Sequence, residues 1–222
     1  MNIYKGVFLK LHIKELKQMR IITVSREFGS GGRELGKRLA DELGFDYYDK
    51  EIITAVAKGK GLDEGYVEKA LDHHAWRSVP LAFGRSFGMP AMQSIETELL
   101  LEQKRVLEGI ARLGKDCVIV GRNADLILAD EKPFNIFVCA DTDAKVQRCM
   151  ERAKQEEKLT EKEILQHMRR IDKNRAATRA ILSDSEWGKG GTYHLTVNTT
   201  GWKLKTLAPA VAQFALKWFE NC

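Results

Sequence analysis

Ile21-Ile-Thr-Val-Ser-Arg-Glu-Phe-Gly-Ser-Gly-Gly-Arg-Glu-Leu-Gly-Lys-Arg-Leu-Ala40 runs an apolar, β-branched strand (Ile21, Ile22, Val24) into a glycine-rich turn (Gly29, Ser30, Gly31, Gly32). The turn opens directly onto an amphipathic helix carrying Leu35, Leu39 and Leu43. A helix start leaves backbone N–H groups without intrahelical partners and gives that end positive character. Strand, glycines and helix in this order gather those groups around one concavity, which suits a phosphate. An ordinary strand-to-helix turn would use the glycines for geometry alone. It would have no use for Arg26 and Glu27 inside the turn. Nor would it need Arg33 in the first helical turn, where a cation opposes the helix dipole unless an anion compensates it.

The usual phosphate-loop pattern, G-x-x-x-x-G-K-[ST], carries a lysine for the β- and γ-phosphates and a hydroxyl for Mg²⁺. With Gly31 as the last loop glycine, the lysine position holds Gly32, and the next two hold Arg33 and Glu34. The backbone cradle is kept while its side-chain chemistry is changed.

Around this segment lie 222 residues, 44% hydrophobic and 30% charged, with four prolines. That length supports one sizeable core. The net charge is +5, and residues 145–182 alone hold eleven Lys/Arg against six Asp/Glu. A local basic field favours an anionic partner, a small phosphate or a nucleic acid. Cys117, Cys139, Cys149 and Cys222 show no paired spacing, which suggests a reducing, cytoplasmic setting. No apolar stretch reaches membrane-spanning length. Residues 1–18 read as an N-terminal extension outside the core fold, and 19–222 as one domain.

Phe45–Tyr48 is a short strand candidate, followed by helices over about 49–58 and, capped by Asp63, through Leu71. Residues 73–91 show no periodicity and read as an insertion. A long helix spans about 92–113 and stops at Gly114, a C-terminal cap. The runs 117–121, 134–140 and 193–198 are apolar enough for buried parallel strands. Helices fill 142–154, 160–182 and 203–220. Strands alternating with helices predict an α/β fold with a parallel sheet covered on both faces. Ligands then bind at the strands' carboxyl ends, where the loop, Asp49 and Gly121–Arg122 would meet.

Two further constellations bear on chemistry. In Val118-Ile-Val-Gly-Arg-Asn-Ala-Asp125, Arg122 and Asn123 follow a buried strand. The pair either caps a helix or offers a planar donor fork to a phosphate or base edge. In Arg169-Arg-Ile-Asp-Lys-Asn-Arg-Ala-Ala-Thr-Arg179, Asp172, Arg175 and Arg179 share one helix face. That face is either solvated or a lid whose arginines close over a transferring phosphoryl group, joined by Arg148 and Arg152. No aromatic residues interleave with these charges, so nucleic-acid binding is the weaker expectation. The histidines lack metal-ligand spacing, so no protein metal site is expected.

Together the segments 21–34, Tyr-Tyr-Asp-Lys (47–50), Val-Gly-Arg-Asn (120–123), Ile-Asp-Lys-Asn-Arg-Ala (171–176) and Leu-Thr-Val-Asn-Thr (195–199) resemble the cytidylate kinase-like family of nucleoside monophosphate kinases, within the P-loop NTPases. The resemblance implies a three-layer α/β/α fold with a five-stranded parallel sheet, a helical acceptor-binding insertion at about 49–113 and a helical lid at about 155–185. It implies ATP and Mg²⁺, with ATP held by Arg26, Gly29, Ser30, Gly31, Gly32, Arg33, Glu34, Arg148 and Arg152. Asp49, Arg122, Asn123, Asp172 and Arg175 would hold the acceptor, and Arg33, Arg122, Arg175 and Arg179 would act on the transferred group. The chain departs from the family pattern at several places. Gly32 stands for lysine, Arg33 for a hydroxyl, Val120 for a strand-end acid, Asn123 for an aspartate and Met168 for a lid arginine. The expected activity is phosphoryl transfer from ATP to a nucleoside monophosphate or another small acceptor. The alternatives are a non-catalytic nucleotide sensor or an RNA-associated protein.

Overall fold

The computed structural model describes residues 19–61, 89–152 and 160–221. The N-terminal extension, the helix expected from Asp63 and residues 73–88 of the insertion lie outside the described residues. So does the start of the expected lid, up to residue 159.

Five strands form one sheet: β1 (Ile21–Arg26), β2 (Asp46–Tyr48), β3 (Cys117–Val120), β4 (Phe134–Cys139) and β5 (Leu195–Asn198). Their order is β2-β3-β1-β4-β5, and every pairing is parallel. The register sets Val24 beside Val120 and Ile136, so β1 is central and its exit turn opens between those of β3 and β4.

Alternation along the strands divides the core. Ile22, Val24, Val118, Val120, Ile136 and Val138 face α1 (Gly32–Leu43) and the C-terminal α7 (Leu204–Glu220). Ile21, Cys117 and Ile119 face α2 (Lys50–Lys60), α3 (Met89–Arg112) and the short α4 (Ala124–Ile127). Both faces being covered is why these strands read as unbroken apolar runs. Ile21, Ile22, Val118, Ile119 and Phe134 are fully enclosed, each side chain worth about 1.5–3 kcal/mol of burial. On α3, Leu99, Gln103, Leu107 and Ala111 recur every fourth residue and are buried. The three-layer α/β/α arrangement matches the expectation.

Two further helices lie between β4 and β5 in the sequence: α5 (Thr142–Arg152), which reaches Thr199 past β5, and α6 (Glu161–Leu182), which reaches the turn after β1. Thr160 and Glu163 form a reciprocal capping box that starts α6, worth about 1 kcal/mol. Met168 packs with Val146 and Ile164 in a small core between the two helices.

Candidate active site

Gly29 and Gly31 take positive φ (75° and 82°), a conformation that side-chain-bearing residues rarely adopt. The loop between them is held by late-sequence side chains. Arg148 of α5 donates to the Ser30 carbonyl at 3.2 Å and to the Thr199 carbonyl at 2.7 Å. The Thr199 hydroxyl, fully buried past β5, donates to the same Ser30 oxygen at 2.7 Å. Because C=O and the following N–H oppose each other in a trans peptide, this turns the Gly31 N–H away from Thr199 and Arg148. Asp172 of α6 accepts from the Phe28 N–H at 2.8 Å, and Arg175 donates to the Arg26 carbonyl and to Asp172, each at 3.0 Å. Glu27 accepts from Lys145 at 2.9 Å and from the Ala140 N–H at 3.2 Å. Every corner of the turn is tied down.

Above it opens a hollow of about 870 Å³, within the range of small-molecule sites. Arg26, Arg33, Arg148, Arg152, Arg170 and Arg175 line it, against the carboxylates of Glu27 and Glu163. Phe28 and His167 meet edge-on within the lining, ring centroids 4.9 Å apart. A smaller hollow of about 50 Å³ adjoins it, sharing Arg26 and Arg175 and adding Ser25, Gln103, Arg122 and Asn123.

Arg26 lies at the junction. Its guanidinium covers Gly121, where an added Cβ would sit 1.5 Å from Nη1. Burial and the neighbouring Arg175 and Arg122 guanidiniums pull its pKa down to about 9, partly offset by Asp49. The cation stays charged at neutral pH, against both burial and repulsion. Such a cluster calls for an anion. Arg33 donates to the buried Asp49 at 2.5 Å, so in this structure Asp49 supplies the compensation that its place in the helix's first turn requires. Burial and Asp49 together push the Tyr47 phenol up to about 12. Burial is also the main reason the Asp172 carboxyl sits above its ordinary range, against the opposing pull of Arg175 and the Phe28 N–H.

Most of the residues singled out in the sequence are thus brought together, with differing tasks. Gly29, Gly31, Gly32 and Arg33 line the main hollow, as do Arg26, Arg148, Arg152 and Arg175. Ser30 is enclosed beneath it, its hydroxyl donating to the Glu27 carbonyl at 2.8 Å. Glu34 pairs with Arg38 and Arg152. Arg122 and Asn123, both at positive φ, line the adjoining hollow, and Gln103 donates to the Arg122 carbonyl. Arg179 is not brought there. It pairs in the interior with Asp125 at 2.6 Å, both side chains 2% exposed, and lies over Tyr193. Glu27 stood out in the sequence by its charge inside the turn but was given no partner; Thr199, just after β5, and Lys145, in the first turns of α5, were missed. Phe28, His167 and Arg170 were also missed as lining residues.

Among the described residues no group of three or more His, Cys, Asp or Glu side chains stands together to hold a metal, and no helix is long and apolar enough to cross a membrane.

No curated protein matches the sequence. Among solved structures, an uncharacterized protein from Eubacterium ventriosum is 26% identical with a TM-score of 0.63, over 89% of this chain and 98% of that one. Shikimate kinase from Acinetobacter baumannii, solved in complex with shikimate, is 15% identical with a TM-score of 0.53, over 91% and 96% of the two chains. The shikimate kinase from Bacteroides thetaiotaomicron gives 14% and 0.53, over 88% and 98%. These two likenesses show the fold. A family model described as the cytidylate kinase-like family matches residues 21–201. With a match of that extent, on a loop and sheet of this form, the chain belongs to the cytidylate kinase-like family.

Proposed function

We propose that the protein transfers the terminal phosphoryl group of ATP to a small anionic acceptor, a nucleoside monophosphate being the leading candidate. One observation carries this reading: guanidinium groups from β1, α1, α5 and α6 converge on a single hollow beside a glycine loop at the carboxyl edge of a parallel sheet. Family membership and a kinase-like fold support it.

In this reading the backbone N–H groups of Gly29–Glu34 receive the donor phosphates, Arg33 swings from Asp49 onto them, and Arg152 closes from α5. Arg148 acts by holding loop carbonyls rather than by touching phosphate. Arg122, Asn123 and Arg175 receive the acceptor in the adjoining hollow, with Asp49 at its mouth. Asp172 keeps Arg175 aimed. An acceptor phosphate is already ionised near neutral pH, so the reaction needs no general base. The γ-phosphoryl bond to the leaving ADP breaks as the bond to the acceptor oxygen forms. Rate comes from alignment and from fixed positive charge around the transferred group. Free thiols at Cys117, Cys139 and Cys149 fit a cytoplasmic setting.

A second reading is a nucleotide sensor that has lost catalysis. The observation favouring it is that Asp49, the buried carboxylate beside the loop, is committed to Arg33. Incubation with ATP and a panel of nucleoside monophosphates and small hydroxy acids, followed by detection of ADP and phosphorylated product, separates the two. Turnover with one acceptor class supports the kinase. Binding of ATP with no product from any acceptor supports the sensor.

A further inference from the structure

Two glycines leave room for one side chain. A Cβ at Gly32, where the phosphate-loop pattern has lysine, would lie 2.5 Å from the Arg26 Cβ and 3.0 Å from its Cγ. A Cβ at Gly121, just past β3, would lie 1.5 Å from the Arg26 Nη1 and 2.7 Å from its Cζ. The Arg26 stem therefore lies against the start of α1 and its head over the end of β3. The stem and a side chain at the lysine position would share one space, so one of the two must be bare. Arg26 itself stands where the pattern has its first glycine.

This path takes the guanidinium from the loop below the main hollow to the turn that carries Arg122 and Asn123, and Arg26 lines both hollows. Neighbouring arginines are already held: Arg33 by Asp49, Arg152 by Glu34, Arg175 by Asp172, and Arg148 by the Ser30 and Thr199 carbonyls. Among the described residues no carboxylate is paired with the Arg26 guanidinium. Burial, Arg175 and Arg122 all oppose its charge, and Asp49 favours it less strongly than either arginine opposes it. An anion entering the junction offsets that cost. A cation facing the donor phosphates alone would bind ATP. One that spans both hollows meets the phosphoryl group as it passes between them, where charge stabilisation raises the rate.

We propose that Arg26 is a catalytic residue, its guanidinium holding the peripheral oxygens of the phosphoryl group while the bond to the ADP oxygen breaks and the bond to the acceptor oxygen forms. The inference rests on the kinase reading above. It gives the strand end the task that lysine has on the helix side of the usual loop. The Mg²⁺ that the family implies has a fitting carboxylate in Asp49, whose Oδ1 is buried without a partner and whose other oxygen is released when Arg33 moves to the phosphates. Such an ion would neutralise donor oxygens and leaves the task of Arg26 unchanged.

Steady-state kinetics of the full chain and its Arg26 variants, with ATP and the acceptor found in the panel above, decide it. Arg26→Met keeps the stem and removes the charge. It is expected to lower kcat about a hundredfold or more, as loss of one donor to transition-state charge does, while KM for either substrate moves by less than about threefold. Arg26→Lys is expected to recover about tenfold of that loss, a cation without the planar fork. Because Arg26→Met takes an unpaired charge out of the interior, its urea midpoint should equal or exceed that of the unaltered chain. A structural arginine gives the reverse pattern, a lower midpoint with kcat kept. Arg26→Gln is read in the same way should Arg26→Met not fold; if neither neutral variant folds, the residue is structural and the inference falls. A kcat within about threefold of the unaltered chain, or a loss confined to KM, would overturn the inference and leave the kinase reading standing. No turnover by the unaltered chain with any acceptor would overturn both.

Discussion

Replacing Gly32 with alanine adds one methyl group where Arg26 already is. The new Cβ would lie 2.5 Å from the Arg26 Cβ and 3.2 Å from that of Val138. The Arg26 atom is next to the backbone and not at the free end of a side chain, so relief requires the strand or helix to shift. Overpacking of this kind costs about 1–3 kcal/mol. Alanine in place of glycine in a helix returns up to about 1 kcal/mol, so the single variant should lose between 0 and about 3 kcal/mol. In an Arg26→Gly background the obstruction is gone, and the same change should be neutral or gain up to about 1 kcal/mol. The coupling between the two sites should thus be about 1–3 kcal/mol, large for a change of one carbon. Urea unfolding of the four proteins, followed by circular dichroism, closes the cycle. If the two effects add to within about 0.5 kcal/mol, as independent sites do, the shared-space account of the loop is refuted.

Three further outcomes are expected. Asp125→Ala should cost about 3–5 kcal/mol by leaving Arg179 charged in the interior, while tripolyphosphate affinity of the folded protein is unchanged; a loss below about 1 kcal/mol in urea unfolding would contradict the pairing. Thr199→Val should cost about 1–3 kcal/mol and weaken tripolyphosphate binding in titration, because the Ser30 carbonyl loses its closest donor. Contact with Phe134 and Trp218 partly desolvates the otherwise exposed His194 imidazole and holds its pKa below the ordinary 6.5, and its Nδ1 accepts from the Asn135 N–H. A depressed pKa contributes stability above 6.5 that is lost as pH falls through the folded-state value. The urea midpoint should therefore drop between about pH 7 and 5, and less so in His194→Gln.

The sheet was legible because strands covered on both faces have no polar side to hide their apolar runs. The glycine loop was legible because strand, glycines and helix follow one another without interruption. Boundaries slipped where local chemistry allowed two endings. Pro90 read as part of a break, yet the first turn of a helix tolerates proline, and α3 begins at Met89. Tyr193 read as strand, but its ring packs on Phe137 and lies beneath Arg179, and β5 starts at Leu195. The partners of charged groups were not legible at all. Asp172, Arg175 and Arg179 do share one face, as their spacing requires. Seven residues of helix nevertheless advance about 10 Å, so Asp172 reaches the Phe28 N–H while Arg179 reaches Asp125. Arg148 carries the right charge for a phosphate, but fold geometry gives its guanidinium to two carbonyls more than fifty residues away.

The anchors of the loop have a consequence for how the protein is made. Residues 26–33 leave the ribosome early, yet the groups that shape them arrive late: Asp172 is separated from Phe28 by 144 positions, and Thr199 from Ser30 by 169. A nascent chain carrying the whole glycine segment therefore lacks its mould until residues 172 and 199 have also been made. If the loop takes an anion as proposed, that capacity would depend on β5 and the Thr199 that follows it, and a chain ending before them should bind tripolyphosphate weakly.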